Sequence, residues 1–109
     1  MKEAAPDISV VIVSWNVREY LRKCLASVYR FTGGVTFEVF VVDNRSADGS
    51  AEMVKSEFPQ VRLIENAENR GFARANNQAL ARCAGGHILL LNPDTELTEN
   101  ALRSMAEFM

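Results

Sequence analysis

Four short apolar runs recur along the chain at nearly even intervals, and the stretches between them carry helical spacing. The runs are Ile8–Ser14 (ISVVIVS), Phe37–Val42 (FEVFVV), Val61–Glu65 (VRLIE) and His87–Leu91 (HILLL). The first, second and fourth are largely continuous and rich in Val, Ile and Leu, as expected of strands covered on both faces. The third alternates, Val61 and Leu63 against Arg62, as a strand nearer a sheet edge does. In the first gap, Asn16 and Glu19 are spaced as a capping box ahead of a stripe of Val17, Leu21, Cys24, Leu25 and Val28. A second helix is predicted from about Ser50 to Phe58, stopped by Pro59, and a third from Phe72 to Cys83, ending at Gly85-Gly86. Thr98 can cap a fourth, with Ala101, Leu102, Met105 and Phe108 as its buried stripe. Strict alternation of strand and helix predicts an α/β fold: a mainly parallel sheet in a three-layer α/β/α arrangement, Rossmann-like in kind.

Composition narrows what such a fold can do. With 109 residues the chain is one domain or part of one. Hydrophobic residues make up 48% and charged residues 24%, which excludes a disordered or fibrous chain. A net charge of −2 argues against non-specific binding to nucleic acid or anionic membrane, which needs basic surface. Cys24 and Cys83 lie in predicted helices without metal-ligand or redox spacing, and read as reduced core thiols. Residues Met1 to Asp7 are polar, unlike a signal peptide, and no apolar run approaches the about 20 residues of a membrane span. The expectation is a soluble, cytoplasmic protein.

Ligands of open parallel sheets sit beyond the carboxyl ends of the strands, so the residues after each run carry the functional argument. They are Ser14-Trp15-Asn16, Asp43 through Ser50 (DNRSADGS), Asn66 through Phe72 (NAENRGF) and Asn92-Pro93-Asp94-Thr95. All four are dense in polar side chains, which favours a polar ligand. Gly-x-Gly-x-x-Gly and the P-loop pattern are both absent, so phosphates are not held by either glycine-rich device. The acids of a receiver domain are missing from the corresponding strand ends. Carboxylates remain. Asp43 can accept hydrogen bonds from a base or ribose. Asp94, expected at the next-door strand end, can hold Mg²⁺ or Mn²⁺ whose open positions take diphosphate oxygens. Arg70 can neutralise further diphosphate charge.

The stretches Val10–Asn16 (VVIVSWN), Val42–Ser50 (VDNRSADGS), Asn69–Asn77 (NRGFARANN) and Leu91–Glu96 (LNPDTE) resemble the family 2 glycosyltransferases of the GT-A fold. The last two are most similar to the rhamnosyltransferase-like branch, which builds bacterial cell-surface polysaccharide. The resemblance runs from about Ile8 to the end of the chain. It implies transfer of a sugar from a nucleotide-diphosphate donor, a dTDP- or UDP-sugar, to an acceptor hydroxyl with inversion. It implies that Asp43 contacts the base, that Ser14, Asn16 and Asp48 line the nucleoside pocket, and that Arg70 and Gly71 lie beside the diphosphate. Asn92-Pro93-Asp94 is then the counterpart of the family's Asp-x-Asp metal motif, with Asp94 as its metal ligand. Asn92 departs from that motif, and as an amide it can hydrogen-bond sugar or ribose instead.

The resemblance also implies that residues 1–109 are only the nucleotide-sugar-binding half, with the catalytic base and the acceptor half further along. No catalytic residue is assigned in this chain, Glu96 and Glu99 included, and the expectation is donor binding of the hexosyltransferase type without turnover. The acceptor would be a glycan or lipid-linked hydroxyl met by the full-length protein, at the inner face of the membrane.

Each of these residues also has a plain structural reading. Asp43-Asn44 and Asp48-Gly49-Ser50 suit a strand-to-helix turn, Asp94 a turn after Pro93, Arg70 a solvated surface position, and Asn16 a helix cap. Trp15 reads as packing under the sheet edge, and His87 as structural. The competing function is a non-catalytic interaction module that retains the fold. In that case the run His87–Leu91, lacking a further neighbour, would pair with a second copy to give a homodimer.

Overall fold

The computed structural model describes residues 5–30 and 35–97. The helix expected after Thr98 lies outside the described residues. Elements alternate as the spacing predicts: β1 (Ile8–Ser14), α1 (Arg18–Arg30), β2 (Phe37–Asp43), α2 (Ser50–Glu57), β3 (Arg62–Glu65), α3 (Phe72–Leu80) and β4 (His87–Leu90). The strands form one sheet in the order β3-β2-β1-β4, and every pairing is parallel.

Side chains of the two central strands divide between the faces with the period of the pleat. Ile8, Val10 and Ile12 of β1 and Val39 and Val41 of β2 turn to one side, where they meet Leu21, Cys24, Leu25 and Val28 of α1 and Met53 and Val54 of α2. Val11, Phe40 and Val42 turn to the other, against Ala75 and Ala79 of α3. Small residues on α3 let that helix lie close to the sheet. Leu21, Leu25 and Val28 are at 0% exposure, and such burial contributes about 1.5–3 kcal/mol per side chain. The result is the three-layer α/β/α architecture.

Local departures have local causes. α2 ends at Glu57, one residue short of expectation, ahead of Pro59. α3 ends at Leu80 rather than Cys83, because Arg82 and Cys83 donate three residues back, to Ala79 and Leu80, and tighten the last turn. The larger correction concerns β4. Its sequence is as apolar as that of a strand covered on both faces, yet Ile88 and Leu90 are 45% and 50% exposed. α3 lies across β1 and β2, and no described element covers the same side of β4. Leu89 alone faces the core with α1.

The carboxyl-end rim, where the candidate residues gather, is opposed by a bonded seam at the other end. There the Ser9 hydroxyl donates to Glu38 (2.6 Å), while the Gly85 and Ala84 amides donate to Ser9 Oγ and Glu38. Gly85 lies so near β1 that a Cβ on it would fall 2.6 Å from the Ser9 nitrogen.

Candidate functional site

Parallel strands place all four carboxyl ends on one rim. Ser14 is aligned with Asp43 and Asp43 with Glu65, and the ladder continues as the Asn44 amide donates to the Ser14 carbonyl and the Asn66 amide to that of Asp43. β1 lies between β2 and β4. Asp43 and Asp94 therefore do not follow next-door strands, as the sequence suggested: β1 separates their two strands, and Asp94 stands four residues beyond the end of β4. The candidate residues form three groups along this rim.

The first group binds the β1–α1 and β2–α2 turns together. Asp43 is buried, and its carboxylate accepts the Ser46 amide (3.0 Å) and the Ser46 hydroxyl. Ser46 Oγ accepts the Asn16 amide (2.9 Å), and Asn16 Oδ1 accepts the Ala47 amide (2.7 Å). Asn16 has φ 52°, a left-handed conformation that asparagine tolerates, so it does not cap α1. The expected capping box is absent: Glu19 pairs with Arg22 instead, and the Arg18 amide donates to Asp48 Oδ2 (2.9 Å). Asp48 Oδ1 accepts the Ser50 amide and hydroxyl, so one carboxylate serves the starts of both α1 and α2. Burial pushes the Asp48 carboxyl up, but the bonds from Ser50 and Arg18 outweigh it and the net shift is downward. Ser14, on the same side of the sheet as Ile12, is at 0% exposure, and its hydroxyl is the one buried side-chain polar atom without a partner among the described residues.

The second group lies on the α3 side. Asn44 is 2% exposed; its Oδ1 accepts from Asn66 (2.9 Å) and from the Arg70 amide (3.4 Å), and its Nδ2 donates to the Gly71 carbonyl (3.3 Å). Asn69 Oδ1 accepts the Gly71 amide, and Gly71 begins α3 with φ 80° and ψ 171°. The Arg70 side chain is exposed. Two aromatics in the rim turns are exposed: Phe72, next to Gly71, at 60%, and Trp15, next to Ser14, at 55%. Trp15 thus does not pack under the sheet edge as its neighbourhood in sequence suggested.

The third group follows β4. Asn92 to Thr95 form a turn closed by the Thr95 amide on the Asn92 carbonyl, with Pro93 at its second position. The chain then crosses α1, where the Leu97 amide donates to Ser27 Oγ and Leu91 and Leu97 join the core. Asp94 is exposed, and no described group hydrogen-bonds or ion-pairs with its carboxylate. Its charge is felt at Cys24, whose thiol is pushed up to about 12 by burial first and then by Asp94 and Glu96. Among the described residues no three His, Cys, Asp or Glu side chains converge. A hard divalent cation at Asp94 would have one protein carboxylate and complete its shell with phosphate oxygens and water, a donor set that suits Mg²⁺. A hollow lined by Lys23, Ser27, Arg30 and Glu96 lies along the flank of α1 rather than at the strand tips.

In the sequence Asn44 reads only as part of a strand-to-helix turn, whereas in the structure its buried side chain bonds Asn66, Arg70 and Gly71. A signal for Asn44 was present: consecutive residues at a strand end point to opposite faces, so Asp43 and Asn44 had to serve different sides of the sheet.

Polar turns gathered at the carboxyl ends of parallel strands define a class, the layered α/β domains whose ligands sit beyond that rim. Comparison with known proteins narrows it. The family described as "Glycosyl transferase family 2" matches over residues 9–109. The chain belongs to that family. It is 33% identical over 106 residues to the succinoglycan biosynthesis protein ExoO of Rhizobium meliloti, covering 96% of this chain and 30% of that one. The mannosyltransferase PcManGT from Pyrobaculum calidifontis, solved in complex with GDP-Man and Mn²⁺, is similar with a TM-score of 0.79 and 25% identity, over 94% of this chain and 31% of that one. S. aureus TarS in complex with UDP-GlcNAc shares the fold with a TM-score of 0.82 at 24% identity, over 94% of this chain and 30% of that one. The chain thus spans under a third of the length of these relatives. No described helix is long and apolar enough to cross a membrane.

Proposed function

We propose that this chain is the nucleotide-sugar-binding half of an inverting glycosyltransferase that uses Mg²⁺ or Mn²⁺ and acts in cell-surface polysaccharide synthesis. The observation that carries the reading is the rim itself, where an exposed carboxylate at Asp94 follows one outer strand, β4, and an exposed guanidinium at Arg70 follows the other, β3. The relatives support it, since PcManGT was solved with GDP-Man and Mn²⁺ and TarS with UDP-GlcNAc. In this reading Ser14, Asn16, Asp43 and Asp48 form the wall of the nucleoside pocket. Arg70 pairs with diphosphate oxygens, Gly71 gives the backbone room to approach them, and Asn92 hydrogen-bonds sugar or ribose. Exposed Trp15 offers an apolar face against which a base can stack.

The reaction is a displacement at the anomeric carbon. The acceptor oxygen forms the new bond, the bond to the diphosphate breaks, and its electron pair leaves on a diphosphate oxygen. When bound, the cation supplies positive charge at that leaving oxygen. Arg70 adds a fixed second positive charge to the departing group. The acceptor proton passes to a base that is not assigned to any residue of this chain.

Calorimetry with UDP, dTDP and GDP, with and without Mn²⁺, tests the reading. Binding of at least one diphosphate that strengthens with Mn²⁺ is expected, and no binding at millimolar concentration removes its basis. Asp94→Ala should abolish the Mn²⁺ dependence while leaving residual cation-free binding, because Asp94 acts only through the ion.

A second reading, an interaction module pairing with a second copy along β4, is favoured by the exposure of Ile88 and Leu90. It separates from the first in the same calorimeter, since it requires no nucleotide.

A further inference from the structure

Three side-chain amides run in series beneath the turn that carries Arg70. Gln78 on α3 and Asn66 after β3 form a reciprocal pair, Asn66 Nδ2 donating to Gln78 Oε1 (2.8 Å) and Gln78 Nε2 to Asn66 Oδ1 (2.9 Å). The Nδ2 of Asn66 donates as well to Asn44 Oδ1 (2.9 Å) at the tip of β2. Asn44 then grips the backbone on both sides of the Arg70 side chain, accepting the Arg70 amide and donating to the Gly71 carbonyl. Asn44 and Asn66 are 2% and 8% exposed, so each unpaired group would carry a desolvation cost. Asn69 Oδ1 closes the turn from within by accepting the Gly71 amide (2.8 Å), and Asn44 ties the closed turn to the tip of β2. A buried amide network of this kind fixes geometry more than it adds stability.

We propose that Asn44, Asn66 and Gln78 are positioning residues that hold the Asn69–Gly71 turn so that Arg70 meets the donor's diphosphate. This rests on the reading that the rim binds a nucleoside diphosphate. The amides touch no substrate; they act through the turn. Preorganising a guanidinium in this way spares the ordering that a free loop would undergo on binding.

The test is a double-mutant cycle in the whole chain, pairing Gln78→Met, which keeps length and loses the amide, with Arg70→Ala. The probe is whichever of UDP, dTDP and GDP binds, run beside its phosphate-free nucleoside. Gln78→Met should weaken diphosphate binding about fivefold when Arg70 is present and less than about twofold when Arg70 is alanine. Nucleoside affinity should be the same in all four proteins. Equal weakening in both backgrounds, a matching loss for the nucleoside, or no loss at all would overturn the proposal. If Gln78→Met does not fold, the wild-type side-chain NH₂ resonances of Asn66 and Gln78 decide. They should shift with the diphosphate and not with the nucleoside, and resonances unmoved by either overturn it. A wild-type chain that binds none of the three diphosphates fails at the earlier step and sinks the functional reading instead.

Discussion

At Gly71 the backbone has φ 80° and ψ 171°, a combination that residues with a Cβ avoid, while the space around it is open. Gly71→Ala therefore fails through torsion rather than collision, and should cost about 1–3 kcal/mol in chemical denaturation. Asp48 supplies a pH-dependent counterpart. Its folded pKa lies below the ordinary carboxylate value, so its stabilisation is complete above that value and is lost as pH falls through the lowered folded one. Asp48→Asn should flatten that stretch of the acid limb in a plot of unfolding free energy against pH, and an unaltered limb would contradict the assignment. At this scale the sequence was legible in kind but not in wiring. Asn16, Asp43 and Asp48 could be picked out as rim residues, but nothing in their order shows that Ser46 occupies both oxygens of Asp43.

Helix α1 shows what is and is not local in a sequence. Leu21, Cys24, Leu25 and Val28 fall at helical spacing, and all four are buried as that spacing predicts. Leu25→Ala should destabilise by about 2–5 kcal/mol, measured by urea unfolding, because the site lies between helix and sheet with little room to collapse. The start of the same helix differs from expectation because its cap is 30 residues away in the chain. No spacing rule within a helix can find a partner delivered by another loop. β4 departs from expectation for a related reason. An apolar run reports what a strand is suited to be buried by, and not which element lies over it.

For the molecule as a whole, strand–helix alternation fixes that the sheet is parallel, and hence that all four turns meet on one rim. Lateral order is a separate matter, and it is this order that inserts β1 between Asp43 and Asp94. The same order leaves Ile88 and Leu90 exposed, a pair of adjacent apolar side chains on an edge strand among the described residues. Light scattering should show mass rising with concentration, and Leu90→Glu should reduce that rise by placing a charge on the patch. A wild-type chain of constant monomeric mass would contradict the self-association.

In many layered α/β proteins the first helix greets an incoming phosphate with its own vacant amides. Here that berth is filled from within, because the Asp48 side chain already lies on the leading amides of α1 and α2. An arriving polyanion meets a resident anion at that doorway. On the proposed reading it is turned aside, across the tip of β1, toward a guanidinium or a counter-ion. On the same reading, the affinity of the rim for phosphate is one that added metal can tune.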